Sequence, residues 1–306
     1  MAKVDVAIQS YKKPEFLIFC LFSLHRFCKD NVDTVWINDD CSGEEVLDAY
    51  KRLADSNALH PWKIKFRVNK QRMGWWVSFV RGIRPKYQTT YFRLKRMLWN
   101  LYKVGSIYVS SQDMRYQWAI ENTEKEFLFV MHDDIQFKSN IIERYLESIT
   151  KDSRMAIVGD LGQCWRCAFA SQGCTPQKII SGYRPSKNWP NTSDGLKSHK
   201  WACRINEWSA LIRVSAAKNI TNSEGVYFGN YDCDGDIAAY WFSMVIDHGY
   251  LFNDPLPSKE ERNNYYSHWE NGITGHSAWV NQGSGKNPYT PEIYINLLNK
   301  EFSYKF

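Results

Sequence analysis

Hydrophobic and polar positions alternate along Val4-Asp5-Val6-Ala7-Ile8, the period of a strand with one face buried. A loop, Gln9-Ser10-Tyr11-Lys12-Lys13, follows, and Pro14 stands where its fixed φ suits a first helical turn. Phe16, Leu17, Cys20, Leu21 and Leu24 then recur at helical spacing, which predicts an amphipathic helix. Thr34-Val35-Trp36-Ile37 reads as a second strand ending at Asn38-Asp39-Asp40, and Ser42 with Glu45 reads as a capping box opening the next helix. Residues Trp62 to Val68 alternate again as a third strand. Strand, helix, strand, helix, strand predicts a parallel sheet with crossover helices, in which ligands bind at the carboxyl ends of the strands.

Further on, Gln112 to Asn122 has helical character, and the apolar run Phe127 to Met131 predicts a buried strand running into His132-Asp133-Asp134. Two carboxylate pairs, Asp39-Asp40 and Asp133-Asp134, therefore fall at one predicted sheet edge. Beyond it, Met155 to Val158 and Glu207 to Arg213 read as strands, and Ile237 to His248 as a helix that Gly249 ends. Residues 162–203 are rich in Cys, Gly, Ser, Pro and Trp and read as one long loop.

Composition changes this picture in three places. With 306 residues and 44% hydrophobic positions the chain has the material for an ordinary core. No apolar run approaches the roughly 18 residues of a membrane span, and the first residues lack a signal peptide's apolar stretch, so the expected compartment is the cytoplasm. The net charge of +6 is unevenly spread: Ser56 to Gln112 contains no Asp or Glu but 12 Lys and Arg. A block of one sign calls for an anionic partner. Its bases are interleaved with Trp75, Trp76, Phe79, Tyr87, Tyr91, Phe92, Trp99 and Tyr102, a composition that suits a membrane interface or a nucleic acid, and also a solvated loop.

Cys164 and Cys167 form a C-x2-C pair, with Cys174 and Cys203 following and His199 nearby. Two thiolates at that spacing plus two later ligands would hold a structural Zn²⁺ and fix the long loop, with Cys203 preferred over His199 as the fourth ligand; a redox pair or unrelated thiols are the plainer readings. Cys20, Cys28, Cys41 and Cys233 are expected to be small buried apolar residues. Asp133 and Asp134 suit Mg²⁺ or Mn²⁺, which prefer oxygen ligands, with Asp134 as direct ligand and Asp133 as second contact; the plain alternative is a turn or helix cap.

These strand-end residues resemble the GT-A class of glycosyltransferases, in particular family 2. Val4 to Leu24 resembles its opening strand, loop and helix. Ile37 to Ser42 resembles its second strand end. Phe127 to Ile135 resembles the strand carrying its Asp-X-Asp metal motif, with His132 standing where an Asp is usual. The resemblance implies a Rossmann-like, mostly parallel sheet flanked by helices in a single domain. Residues 1–137 would hold the nucleotide sugar, with a basic aromatic insertion at about 70–110, and residues 138–306 the acceptor. It implies Gln9, Ser10, Tyr11, Asp39, Asp40, Arg115 and Asp133 around the nucleotide, and Asp134 with His268 at a catalytic Mn²⁺ or Mg²⁺. His276 is a weaker alternative to His268. Asp236, with Asp234 next and Asp232 last, is the candidate base of an inverting enzyme. The implied partners are a nucleotide-sugar donor and a glycan or lipid-linked acceptor, with peripheral contact at the inner face of a membrane through residues 63–103. From other classes, a zinc-stabilised nucleic-acid-binding module explains the basic block but not the two Asp pairs. A nucleotidyltransferase would need a Gly-rich phosphate loop that Gln9-Ser10-Tyr11-Lys12 is not.

Overall fold

The computed structural model describes residues 3–74, 77, 80–86, 88–161, 175–180, 204–230, 237–268 and 291–306. Strands β1 (Val4–Ser10), β2 (Val32–Asp39), β3 (Lys63–Val68) and β4 (Phe127–Met131) run parallel. With β6 (Met155–Leu161), β7 (Ile205–Arg213) and β8 (Leu251–Asn253) they form a seven-stranded sheet in the order β3-β2-β1-β4-β7-β6-β8. Only β7 is reversed: it pairs antiparallel with β4 and β6, while β6 and β8 are parallel to each other. The mostly parallel α/β sheet expected from the sequence is therefore present. A second ribbon pairs β5 (Ile135–Phe137) antiparallel with β9 (Tyr266–His268).

The alternation in β1 has its expected consequence. Val4, Val6 and Ile8 enter one core with Phe127, Phe129 and Met131 of β4. That layer also holds α1 (Pro14–Cys28), α2 (Glu44–Asp55), α5 (Ile141–Ile149) and α10 (Pro291–Phe302). Ala7, Leu128 and Val130 face the opposite core, under α4 (Gln117–Asn122), α7 (Val214–Glu224) and α8 (Ala239–Asp247). Asp5 is buried on that side, where it accepts hydrogen bonds from the Trp36 indole at 2.9 Å and the Thr123 hydroxyl at 2.7 Å. Its charge thus joins β1, β2 and the end of α4 rather than opposing the core.

Several local expectations are corrected. Ser42 does not cap α2; Gly43 occupies the N-cap without a side-chain bond, because the Ser42 hydroxyl is drawn to Asp39 and its oxygen accepts the Lys12 amide at 2.7 Å. Cys41 is exposed at a left-handed bend, while Cys20 and Cys28 are buried as expected. The helix expected over Gln112 to Asn122 is broken into a 3₁₀ turn at Ser111–Asp113 and α4. At the break the Asn38 amide donates to the Arg115 carbonyl at 2.9 Å, and Arg115 has φ 26°. The long loop contains a short helix, α6 (Pro176–Ile180). Cys164, Cys167, Cys174, His199, Cys203, Cys233 and His276 lie outside the described residues, as do Asp232, Asp234, Asp236 and the aromatics Trp75, Trp76, Phe79 and Tyr87.

The basic insertion is built around a regular helix, α3 (Thr90–Val104). The Thr89 side chain accepts from the Phe92 amide at its start, and Gly105 ends it at φ 66°. Between α8 and β9 lies α9 (Lys259–Tyr265), which opens on a complete capping box of Ser258 and Glu261.

Candidate active site at the carboxyl edge of the sheet

The chain builds outward from β1 through β2 to β3 and then returns to lay β4 on the other side of β1, so the carboxyl ends of β1 and β4 flank a topological switch point. β1 delivers Gln9, Ser10 and Tyr11 there, and β4 delivers His132, Asp133 and Asp134. The Ser10 hydroxyl donates to Asp133 Oδ2 at 3.2 Å and receives the Tyr50 hydroxyl at 2.9 Å. Tyr50 thus orients Ser10, and Ser10 orients Asp133.

The two carboxylates are buried at this strand end: Asp133 is 6% accessible and Asp134 2%. Burial, with Asp134 beside it, pushes the Asp133 carboxyl up to about 7. Lys13, the N-cap of α1, sits beside both. Burial lowers its pKa, while Asp133, Asp134 and Glu15 act in the opposite sense. Lys12 and Lys13 both adopt left-handed backbone, φ 53° and 63°, where non-glycine residues are uncommon and tend to mark functional sites.

His132 stands between two acids. Its Nδ1 lies 3.7 Å from Asp134 and its Nε2 3.4 Å from Glu207 of β7, the reversed strand. Glu207 is fully buried. Burial opposes its charge, but Arg204, followed by His132 and Arg115, holds its carboxyl below the ordinary range. Arg204 also donates to the Ile237 carbonyl, reaching the segment that leads into α8. The edge is therefore a row of neighbouring polar side chains: Asp134, His132, Glu207, Arg204.

Asp39 and Asp40 are engaged within the protein. Asp39 is fully buried and accepts from the Ser42 amide at 2.8 Å and from its hydroxyl; burial raises its pKa against these bonds. Asp40 accepts the Met73 amide at 2.7 Å, the Gly74 amide at 2.8 Å and the Asn69 side chain at 3.1 Å, fastening the start of the insertion to the sheet edge. Tyr11 carries the Arg72 guanidinium 4.0 Å above its ring, a second tie between edge and insertion. Arg115 precedes α4 rather than riding on a helix, and with Gln9, Gly74, Asp113, Met114 and Gly229 it lines a small cavity beside the end of β1. A Cβ at Gly229 would come within 2.8 Å of the Arg115 Cβ, so only glycine permits this approach. His268 enters through the backbone: it pairs with Ile135, the residue after Asp134.

The sequence reading did not single out Lys13, Arg204 or Glu207. Glu207 carried a faint signal, an acid opening an otherwise apolar strand; the other two became meaningful only once β7 lay beside β4 and α1 beside β1.

Among the described residues no cluster of three or more His, Cys, Asp and Glu has the arrangement of a complete metal cage. Mg²⁺ and Mn²⁺ sites that serve phosphates need only one or two carboxylates, with substrate and water filling the rest. Two buried, adjacent carboxyl groups, one of them pushed up to about 7 by burial and its neighbour, are a donor set that fits such an ion.

No protein-family model matches the chain, and no curated protein sequence does. Among solved structures it is similar to the mannosyltransferase PcManGT from Pyrobaculum calidifontis, solved with GDP-Man and Mn²⁺, at 12% identity, TM-score 0.46, over 83% of this chain and 54% of that one. It is similar too to core-mannan synthase A (CmsA/Ktr4) from Aspergillus fumigatus in its Mn/GDP form, at 11% identity, TM-score 0.41, over 96% and 82%. The chain thus spans about half the length of the first of these proteins. Likeness at this level assigns neither a donor nor an acceptor.

Proposed function

We propose that the chain is a GT-A-type glycosyltransferase that moves a sugar from a nucleoside-diphosphate sugar to a saccharide or lipid-linked acceptor with help from Mn²⁺ or Mg²⁺. The observation that carries this reading is the Asp133-Asp134 pair at the β1/β4 switch point, buried, in contact and bordered by Lys13. Asp134 is the direct ligand in this reading and Asp133 the second contact, kept in place by Ser10. When bound, the ion would neutralise charge developing on the departing diphosphate. Lys13, and Arg115 in its cavity, supply positive charge from the protein side of that leaving group. His132, pinned between Asp134 and Glu207, holds the Asp134 carboxylate in a fixed orientation.

Accepting the acceptor hydroxyl's proton falls to Asp236 or Asp234, just ahead of α8, if the reaction inverts. The Arg204 bond to the Ile237 carbonyl ties the residue that follows Asp236 in sequence to the carboxylate edge. A nucleic-acid-binding module accounts less well for the geometry, because buried acids at the rim of the basic region would repel a phosphate backbone unless a cation intervened. The test is to incubate the protein with common nucleotide sugars and follow nucleoside diphosphate release with Mn²⁺ and with chelator. Release with at least one donor that needs the metal and is lost in Asp134→Asn supports the reading. No metal-dependent release or binding with any donor, together with tight RNA or DNA binding at physiological salt, would overturn it.

A further inference from the structure

We infer that the outer face of α3 is a docking surface for an anionic lipid bilayer. Tyr91, Leu94, Leu98, Leu101 and Tyr102 are all at least half exposed, from 50% at Leu101 to 77% at Tyr102. At helical spacing they fall within an arc of about 100°. Phe92, Arg96, Asn100 and Val104 form the opposite, buried side. Ile83 in the preceding loop and Ile107 in the following one are exposed apolar residues as well, 52% and 37% accessible. A contiguous apolar stripe on an otherwise basic segment is a surface that expects a cover.

Charge and chemistry decide the occupant. The stripe lies in the stretch with 12 Lys and Arg and no acid. Lys95 is exposed on the same side of α3, and Lys103 stacks on both Trp99 and Tyr102. A second copy would bring two such basic faces together and be repelled. A nucleic acid would use the cations and rings but leave Leu94, Leu98 and Leu101 in water. An anionic membrane uses all three: leucines in the acyl boundary, Tyr and Trp at headgroup level, Lys and Arg against the lipid phosphates. At 15 residues α3 lies on such a surface, and among the described residues no helix is long and apolar enough to cross a membrane.

The helix is braced so that docking would set the orientation of the active edge. Val104 packs with Met73, Val77, Val109 and Met114 in a small core of its own, and Asn100 bonds the Ile107 carbonyl at 3.1 Å. Met73 is bound in turn to Asp40, and Met114 precedes Arg115. The loop before α3 also presses its Ile83 carbonyl onto Gly225, at the end of α7, where a Cβ would collide. The surface is thus joined through these contacts to the carboxyl edge, and its existence does not depend on the transfer reading.

The test is co-sedimentation of the full chain at physiological salt with phosphatidylcholine vesicles and with vesicles containing about a third phosphatidylserine. The expected result is binding to the anionic vesicles at least about tenfold tighter than to neutral ones, and loss of about tenfold or more in Leu94→Glu/Leu98→Glu at unchanged circular dichroism. Equal sedimentation of the variant and the parent, no binding to anionic vesicles, or a dimer that the same variant dissolves would each overturn it. Single-stranded RNA binding tighter than vesicle binding, and insensitive to the double variant, would also overturn it.

Discussion

The carboxyl edge of the sheet and the outer face of α3 depart from ordinary burial in opposite directions. At the edge, Asp133 and Asp134 are carboxyl groups taken out of water, and burial with its neighbour pushes Asp133 up to about 7. On α3, Leu98 and Tyr102 are apolar groups left in water. Each arrangement costs stability in the free protein, and each would be relieved by a particular class of ligand: a cation with phosphates in the first case, a lipid surface in the second. The contrast separates what holds the fold together from what waits for a partner.

Substitutions sharpen that contrast, the largest effect first. Asp134→Asn should cut metal-dependent nucleoside diphosphate release by about a hundredfold or more while the protein stays folded, since Asn keeps the shape but gives up the charge a divalent ion needs; initial rates across a Mn²⁺ series check this. Glu207→Gln should be the most destabilising change, by roughly 3–5 kcal/mol, because it strands buried Arg204 without its counter-charge; denaturant midpoints measure it.

Asp133→Asn should instead stabilise the metal-free protein, and only above acidic pH. Its carboxyl ionises near 3.8 when unfolded but near 7 when folded, so unfolding releases a proton in between and stability falls as pH rises through that window. The variant's advantage should be absent below pH 4 and reach on the order of 2–4 kcal/mol above pH 7; thermal unfolding against pH tests it, and a pH-independent difference would contradict the assignment. Smallest of all, Leu98→Ser should shift the unfolding midpoint by no more than about 0.5 kcal/mol, since its side chain already stands in water.

Much of the fold was legible because it rests on local periodicity. The alternation of Val4 to Ile8, the apolar run Phe127 to Met131 and the stop at Gly249 each declare an element within a few residues. Position at the end of a strand was enough to bring Asp133 and Asp134 forward. What escaped was set by contacts distant in sequence. At the break before α4 the Arg115 carbonyl is taken by Asn38, from 77 positions away. Ser42 carried a good capping pattern that Asp39 outcompeted. Cys41, a typical core residue by type, is turned outward by a left-handed bend. Arg204 and Glu207 acquired a role only when the reversed strand brought Glu207 beside His132, and the basic insertion gave no sign of which of its aromatics would pack and which would remain bare.

The central claim, that the Asp133-Asp134 edge is a metal and diphosphate site, is tested most directly by calorimetric titration of a nucleoside diphosphate into the protein with Mn²⁺ and with chelator, in parent and Asp134→Asn. The account predicts binding that is at least about tenfold tighter with Mn²⁺ and loses that gain in the variant. Binding of equal strength with chelator, or a Mn²⁺ effect untouched by Asp134→Asn, would contradict it.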